Sequence, residues 1–261
     1  MHAPIVRKRF GQHFLHDKQI IQRIVEMIAP QPGQHLVEIG PGQGALTVPI
    51  LRKIGQLDVI EIDRDLIPPL KSRCADKGNL IVHEADALEF DFAELAEPDQ
   101  PLRVIGNLPY NISTPLIFHL LHYAHDILDM HFMLQKEVVE RLAAQPGTED
   151  YGRLSIMMQY HCQVIPLFNV SPAAFYPPPQ VESSVVRLIP YQEISHFARD
   201  YKHFSLLVRE AFSHRRKTLR NSLKELIDDA EWKTIAVDSH LRPEQLRVED
   251  YVNISNQLNP K

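Results

Sequence analysis

Asn107-Leu108-Pro109-Tyr110 is the stretch of this sequence with the clearest chemical capability. The asparagine amide both donates and accepts, the proline stiffens the turn and leaves the Leu108 carbonyl unpaired, and the tyrosine offers an aromatic face. Such a set can grip a flat heterocycle that carries an amino group. The amide and carbonyl oxygens would accept from its two N–H bonds while Tyr110 stacks on the ring. The same four residues also suit a capped loop with an Asx turn, so the surrounding elements must decide between the two.

Those elements place the tetrapeptide at a strand end. Residues 102–106 are short and apolar, as a buried parallel strand would be, and Ser113-Thr114-Pro115 reads as a helix start. Ligands of open α/β sheets bind at the carboxyl edge of the strands. Three other strand ends carry polar or glycine signals. The strand at 35–39 runs into Gly40, Gly42 and Gly44 before a helix that begins at Ala45, a turn where a ligand can approach the backbone beside a positive helix end. Its G-x-G-x-G spacing is by itself a weak signal. The strand at 57–63 carries Glu61, placed to accept from the hydroxyls of a ribose. Asp63 and Asp65 read as solvated acids at a helix start. The strand at 79–83 leads to Ala85-Asp86-Ala87, where Asp86 could meet an adenine amine or merely cap a turn. A fifth strand is expected at 127–134, with helices at 136–141 and 153–161 and, near the amino terminus, one capped by Asp17 and ending at Pro30. Alternation of this kind predicts an α/β fold with a mostly parallel, doubly wound sheet.

Charge is unevenly spread. The net charge is −5 and the pI about 6.3. Between Glu84 and Gln100 acids occur without lysine or arginine, whereas Arg7-Lys8-Arg9 and Arg215-Arg216-Lys217 are basic clusters. After Tyr191 strand signals vanish, which predicts domains at 1–190 and 191–261, the second all-helical. Arg209, Arg216 and Arg220 would there share one helix face, beside Lys217 and Arg215, and suit phosphate contacts. No apolar run is long enough for a membrane span and the basic amino terminus lacks an apolar signal core. Only Cys74 and Cys162 are present, which fits a reducing cytoplasm. His119, His122 and His125 cannot all share one helix face, so a histidine metal site is not expected.

The four strand-end signals fall in consistent order. They suit S-adenosylmethionine better than a nicotinamide dinucleotide, which would need a hydride-accepting site that the sequence does not offer. At this point the sequence resembles the ribosomal RNA adenine N6,N6-dimethyltransferases, in particular the branch acting on small-subunit (16S) rRNA. The resemblance rests on Gly11-Gln12-His13-Phe14-Leu15, Glu38-Ile39-Gly40-Pro41-Gly42, Asn107-Leu108-Pro109-Tyr110, Leu134-Gln135-Lys136-Glu137-Val138, the Phe175-to-Val185 proline-rich block and Arg215-Arg216-Lys217-Thr218-Leu219. It departs at Gln43 and Ala85, where the family often has leucine and glycine.

The resemblance implies a Rossmann-like methyltransferase domain with a small C-terminal helical domain. It implies dimethylation of two adjacent adenosines near the 3′ end of the rRNA, and a role in small-subunit biogenesis. His13, Leu15, Gly40, Gly42, Glu61, Ile62, Asp86, Ala87 and Asn107 would line the cofactor site, without a metal. Asn107, Leu108 and Pro109 would hold the amine, with Tyr110 and Phe175 sandwiching the flipped base. Arg7, Lys8, Arg9, Arg209, Arg215, Arg216, Lys217 and Arg220 would meet RNA. The expected partner is rRNA within an immature 30S particle, and the expected form a cytoplasmic monomer. The competing readings are a resistance-type methyltransferase of large-subunit rRNA and an assembly factor whose binding outweighs its catalysis.

Overall fold

A computed structural model describes residues 12–214 and 217–258. The chain forms two compact units by its own contacts. One comprises the described residues up to Val139 together with Ile165–Pro190; the other comprises Glu140–Val164 and the described residues from Tyr191 on. Contacts group residues 140–164 with the segment that starts at Tyr191, not with the strands that precede them in sequence. Sequence order does not reveal this.

The first unit begins with β1 (Phe14–Leu15) and α1 (Lys18–Ile28). Asp17 caps α1 by accepting from the Gln19 and Ile20 N–H groups at 2.8 and 3.1 Å. Then follow β2 (His35–Ile39), α2 (Thr47–Ile54), β3 (Gln56–Glu61), α3 (Ile67–Cys74), β4 (Asn79–Glu84), β5 (Leu102–Asn107), α4 (Ser113–Leu120), β6 (Ile127–Gln135) and α5 (Lys136–Ala143), the last running into the second unit. After α6 (Arg153–His161) come β7 (Cys162–Val170), β8 (Phe175–Tyr176) and β9 (Ser183–Pro190).

Seven strands make one sheet in the order β4-β3-β2-β5-β6-β9-β7, while β1 and β8 pair separately. The pairs from β4 through β6 are parallel and β6 with β9 is antiparallel, so the sheet is mostly parallel. Its central strands read as apolar runs because helices cover both faces: Leu36, Val37, Val104 and Ile105 are fully buried. At the amino ends of β5 and β6, the buried carboxylate of Asp129 accepts from Arg103 Nε at 2.8 Å and Nη2 at 3.1 Å, and from Arg187 of β9 at 2.7 Å. Arg103 also donates to the Ile28 carbonyl that ends α1. These guanidinium groups hold the Asp129 carboxyl below the usual range against the opposing effect of burial.

The second unit contains α6, α7 (Tyr201–Ala211), α8 (Leu219–Ser222) and α9 (Val248–Leu258). Phe204, Leu207 and Tyr251 form its buried centre, and the Tyr251 hydroxyl donates to the Pro243 carbonyl at 2.9 Å. No described helix is long and apolar enough to cross a membrane.

Candidate active site

A cleft of about 290 Å³ lies over the carboxyl ends of β2, β3 and β5. Its walls come from Gln12 to Leu15, the glycine turn after β2, Ile60 to Ile62, Ala85 to Leu88, and Asn107 to Ile112. All nine expected cofactor residues, His13, Leu15, Gly40, Gly42, Glu61, Ile62, Asp86, Ala87 and Asn107, line it.

The glycine turn is made by backbone that other residues rarely adopt, with φ of +67° at Gly40 and +52° at Gly42. A Cβ at Gly42 would sit 3.3 Å from the Phe14 ring, whereas one at Gly40 would meet no protein atom within 4 Å. Close packing on Phe14 thus adds to the backbone reason for glycine at Gly42. Gly40 lines the cleft, and its positive φ is the reason for glycine there.

Glu61 ends β3 with its carboxylate held at two points, by the Gly42 N–H at 3.2 Å and the Asp63 N–H at 2.9 Å. Burial raises its pKa despite these bonds. Asp86 accepts from the Leu88 N–H at 2.9 Å, so it does cap a turn and lines the cleft as well. Gln43 and Ala85, the two departures from the family pattern, also face this cleft.

One acid of the cleft, and one next to the cleft residue Ile62 in sequence, were not legible. Glu38, inside β2, lines the cleft while only 2% exposed, and accepts from the Thr47 hydroxyl at 2.6 Å. Burial, reinforced by the neighbouring Glu61, pushes its pKa from 4.5 up to about 7. A carboxylate in the otherwise apolar run Leu36-Val37-Glu38-Ile39 was the available signal. Asp63, expected to be solvated, is 2% exposed and accepts from the Gln12 side chain at 3.0 Å. Backbone capping of the turn and the bond from Gln12 replace water there.

At the end of β5, Asn107 Nδ2 donates to the His13 carbonyl at 3.0 Å. That bond sets which way the amide points and leaves Oδ1 as its acceptor. Leu108 is buried, its N–H bonded to the Met133 carbonyl at 3.3 Å, and Pro109 follows without a donor of its own. Tyr110 is half-buried and the His13 ring stacks on it at 5.8 Å between centroids. The His13 Nδ1 bonds the Pro177 carbonyl at 2.7 Å; since a carbonyl only accepts, this nitrogen carries the proton.

Phe175 does not form the second wall of an aromatic sandwich. It is 2% exposed, outside the cleft lining, and packed in the core with Leu15, its partner in the β1–β8 pair. Alternation along a strand sends Phe175 inward and Tyr176 outward. The expected basic face is also corrected. Helix α7 stops at Ala211 and α8 starts at Leu219, so Arg209 and Arg220 belong to different helices; the bend is marked by Ser213 donating back to the Glu210 carbonyl at 2.6 Å. Arg209 pairs with Glu210 and Arg220 with Asp229, while Lys217 is exposed. Arg7, Lys8, Arg9, Arg215 and Arg216 lie outside the described residues. His119 and His122 bond the Phe90 and His119 carbonyls.

Fold and cleft together define the class: an S-adenosylmethionine-dependent methyltransferase. A family model described as "Ribosomal RNA adenine dimethylase" matches residues 5–260. A protein of Pseudomonas aeruginosa named "Ribosomal RNA small subunit methyltransferase A" is 60% identical over 252 residues, 97% of this chain and 94% of that one. Its namesake in Pseudomonas putida is 58% identical over the same shares. Among solved structures, a dimethyladenosine transferase from Plasmodium falciparum superposes with a TM-score of 0.79 at 28% identity, covering 95% of this chain and 98% of that one. The chain belongs to the ribosomal RNA adenine dimethylase family, and is an enzyme that methylates adenine in ribosomal RNA.

Proposed function

We propose that this chain transfers two methyl groups to the exocyclic N6 of each of two adjacent adenosines near the 3′ end of 16S rRNA, and thereby takes part in small-subunit maturation. The names of relatives at 58–60% identity favour the small subunit over the large one. The substrate is read as rRNA within an immature 30S particle, met in the cytoplasm by a monomer that needs no membrane.

The observation that carries the chemistry is the orientation of Asn107. With Nδ2 committed to the His13 carbonyl, Oδ1 is the atom left to accept from an amine. S-adenosylmethionine supplies an electrophilic methyl on a sulfonium. Glu61 and Asp86 are assigned to its ribose and adenine, and the open backbone at Gly40 to its amino-acid end. The target N6 is a poor nucleophile because its lone pair is delocalised into the ring. Acceptance by Asn107 Oδ1 and the Leu108 carbonyl favours a tetrahedral nitrogen and aims its lone pair, while Tyr110 stacks on the flipped base. Positioning and fixed dipoles then suffice for direct displacement: the N6–methyl bond forms as the sulfonium C–S bond breaks, S-adenosylhomocysteine leaves and the nitrogen gives up one proton to solvent, so that a single N–H remains to be accepted in the second transfer. The basic residues Arg7, Lys8, Arg9, Arg209, Arg215, Arg216, Lys217 and Arg220 are assigned to RNA phosphates.

The test supplies labelled S-adenosylmethionine and unmethylated small subunits, and maps the label by nuclease digestion and mass spectrometry. Dimethyladenosine at two adjacent positions near the 3′ end is expected; label at other positions would overturn the target.

A further inference from the structure

Tyr110 is restrained from two sides. Its Oη shares a 2.7 Å hydrogen bond with Ser183 Oγ, and the His13 ring covers one of its faces with 30° between the planes. Ser183 is fully buried as the first residue of β9, in register with Gln135 of β6. A buried hydroxyl needs a partner, and among the described residues the partner of this one is the tyrosine.

The two contacts restrain different torsions. A tyrosine hydroxyl lies on the Cβ–Cγ axis, so a bond to it fixes where the ring points and leaves rotation about that axis free. A ring stacked on one face fixes the rotation. Together they give Tyr110 a set direction and a set plane. The Ser113 hydroxyl, donating to the Tyr110 carbonyl at 3.2 Å, holds the backbone beneath.

We propose that Ser183 is a positioning residue for methyl transfer: its bond to the Tyr110 hydroxyl holds the ring at the angle that brings a stacked adenine's amine onto Asn107 Oδ1 and the Leu108 carbonyl. This rests on the adenine-methylating reading of the cleft. Ser183 itself touches no substrate and acts through Tyr110.

The experiment is a double-mutant cycle on unmethylated small subunits with wild type, Ser183→Ala, Tyr110→Phe and the double variant, reading kcat and both KM values. Calorimetric S-adenosylmethionine affinity and the thermal midpoint are measured alongside. Each single variant should lower kcat by roughly 3–10-fold, the worth of one hydrogen bond, with KM for S-adenosylmethionine and its calorimetric affinity unchanged. The double variant should match Tyr110→Phe, because Ser183 then has no hydroxyl to act on. Losses that multiply in the double variant, or wild-type kcat in either single one, would overturn the proposal. Should Ser183→Ala fail to fold, Ser183→Cys, which keeps the shape of the side chain but bonds a phenol only weakly, takes its place in the same cycle and is read by the same criterion. A wild type that dimethylates no adenosine would instead sink the parent reading, which separates the two failures.

Discussion

Glu38→Gln should make the protein more stable than wild type above neutral pH and comparable to it in mild acid. Glu38 is buried at 2% exposure with a pKa raised from 4.5 to about 7. The folded state therefore holds a proton that the unfolded chain releases between those two values. A group of this kind contributes its full stability below the unfolded pKa and loses it as pH rises through the folded one. The gap of about 2.5 pH units between those values corresponds to roughly 3 kcal/mol at about 1.4 kcal/mol each. Glutamine is nearly isosteric, carries no charge, and still accepts from the Thr47 hydroxyl that now bonds Glu38 at 2.6 Å. Urea unfolding of both proteins at intervals from pH 4.5 to 8 is the assay, and subtracting the two curves removes titrations that they share. The wild type should lose on the order of 3 kcal/mol relative to Glu38→Gln across that window. Parallel curves would mean that Glu38 is charged in the folded protein, and that the burial argument is wrong.

Other perturbations should read out as follows. Asp129→Asn removes the anion between Arg103 and Arg187, and should cost about 3–5 kcal/mol in urea unfolding while leaving S-adenosylmethionine affinity intact; a cost within error of zero would show that the arginines find other partners. Tyr110→Ala should retain cofactor binding by calorimetry and lose most turnover, with stacking weakened by about 1–3 kcal/mol; normal turnover would remove Tyr110 from the site. Arg216→Ala combined with Arg220→Ala should reduce the slope of log affinity against log salt for rRNA by about 1–2; an unchanged slope would place the RNA surface elsewhere on the molecule.

The elements that hold the cleft were legible because each rests on local chemistry. Apolar runs bounded by turn residues gave β2 to β6. The residues that end those strands, Gly40, Glu61, Asp86 and Asn107, share the cleft because parallel strands bring their carboxyl ends to one edge. What was not legible depends on partners distant in sequence. Strand β7 contains Pro166, which argues against a central strand but is tolerated here at the sheet edge. Phe175 looks like a site aromatic until the β1–β8 pairing turns it inward. Asp63 looks solvated until Gln12, fifty-one residues earlier, bonds it. The assignment of 140–164 to the second unit has no signal in local composition at all.

The Arg103–Asp129–Arg187 cluster sits at the amino end of β5 and β6, whereas the cleft opens at the carboxyl end of β5. Cohesion and chemistry thus occupy opposite ends of the same strands. Rim residues such as Gln43 and Ala85 are not among the groups bonded to the charges that tie β5, β6 and β9 together. A sheet so divided can drift in sequence at its working end while its register stays pinned at the other. Variants at the partly exposed rim positions Gln43 and Ala85 should accordingly differ in rate and affinity far more than in melting temperature.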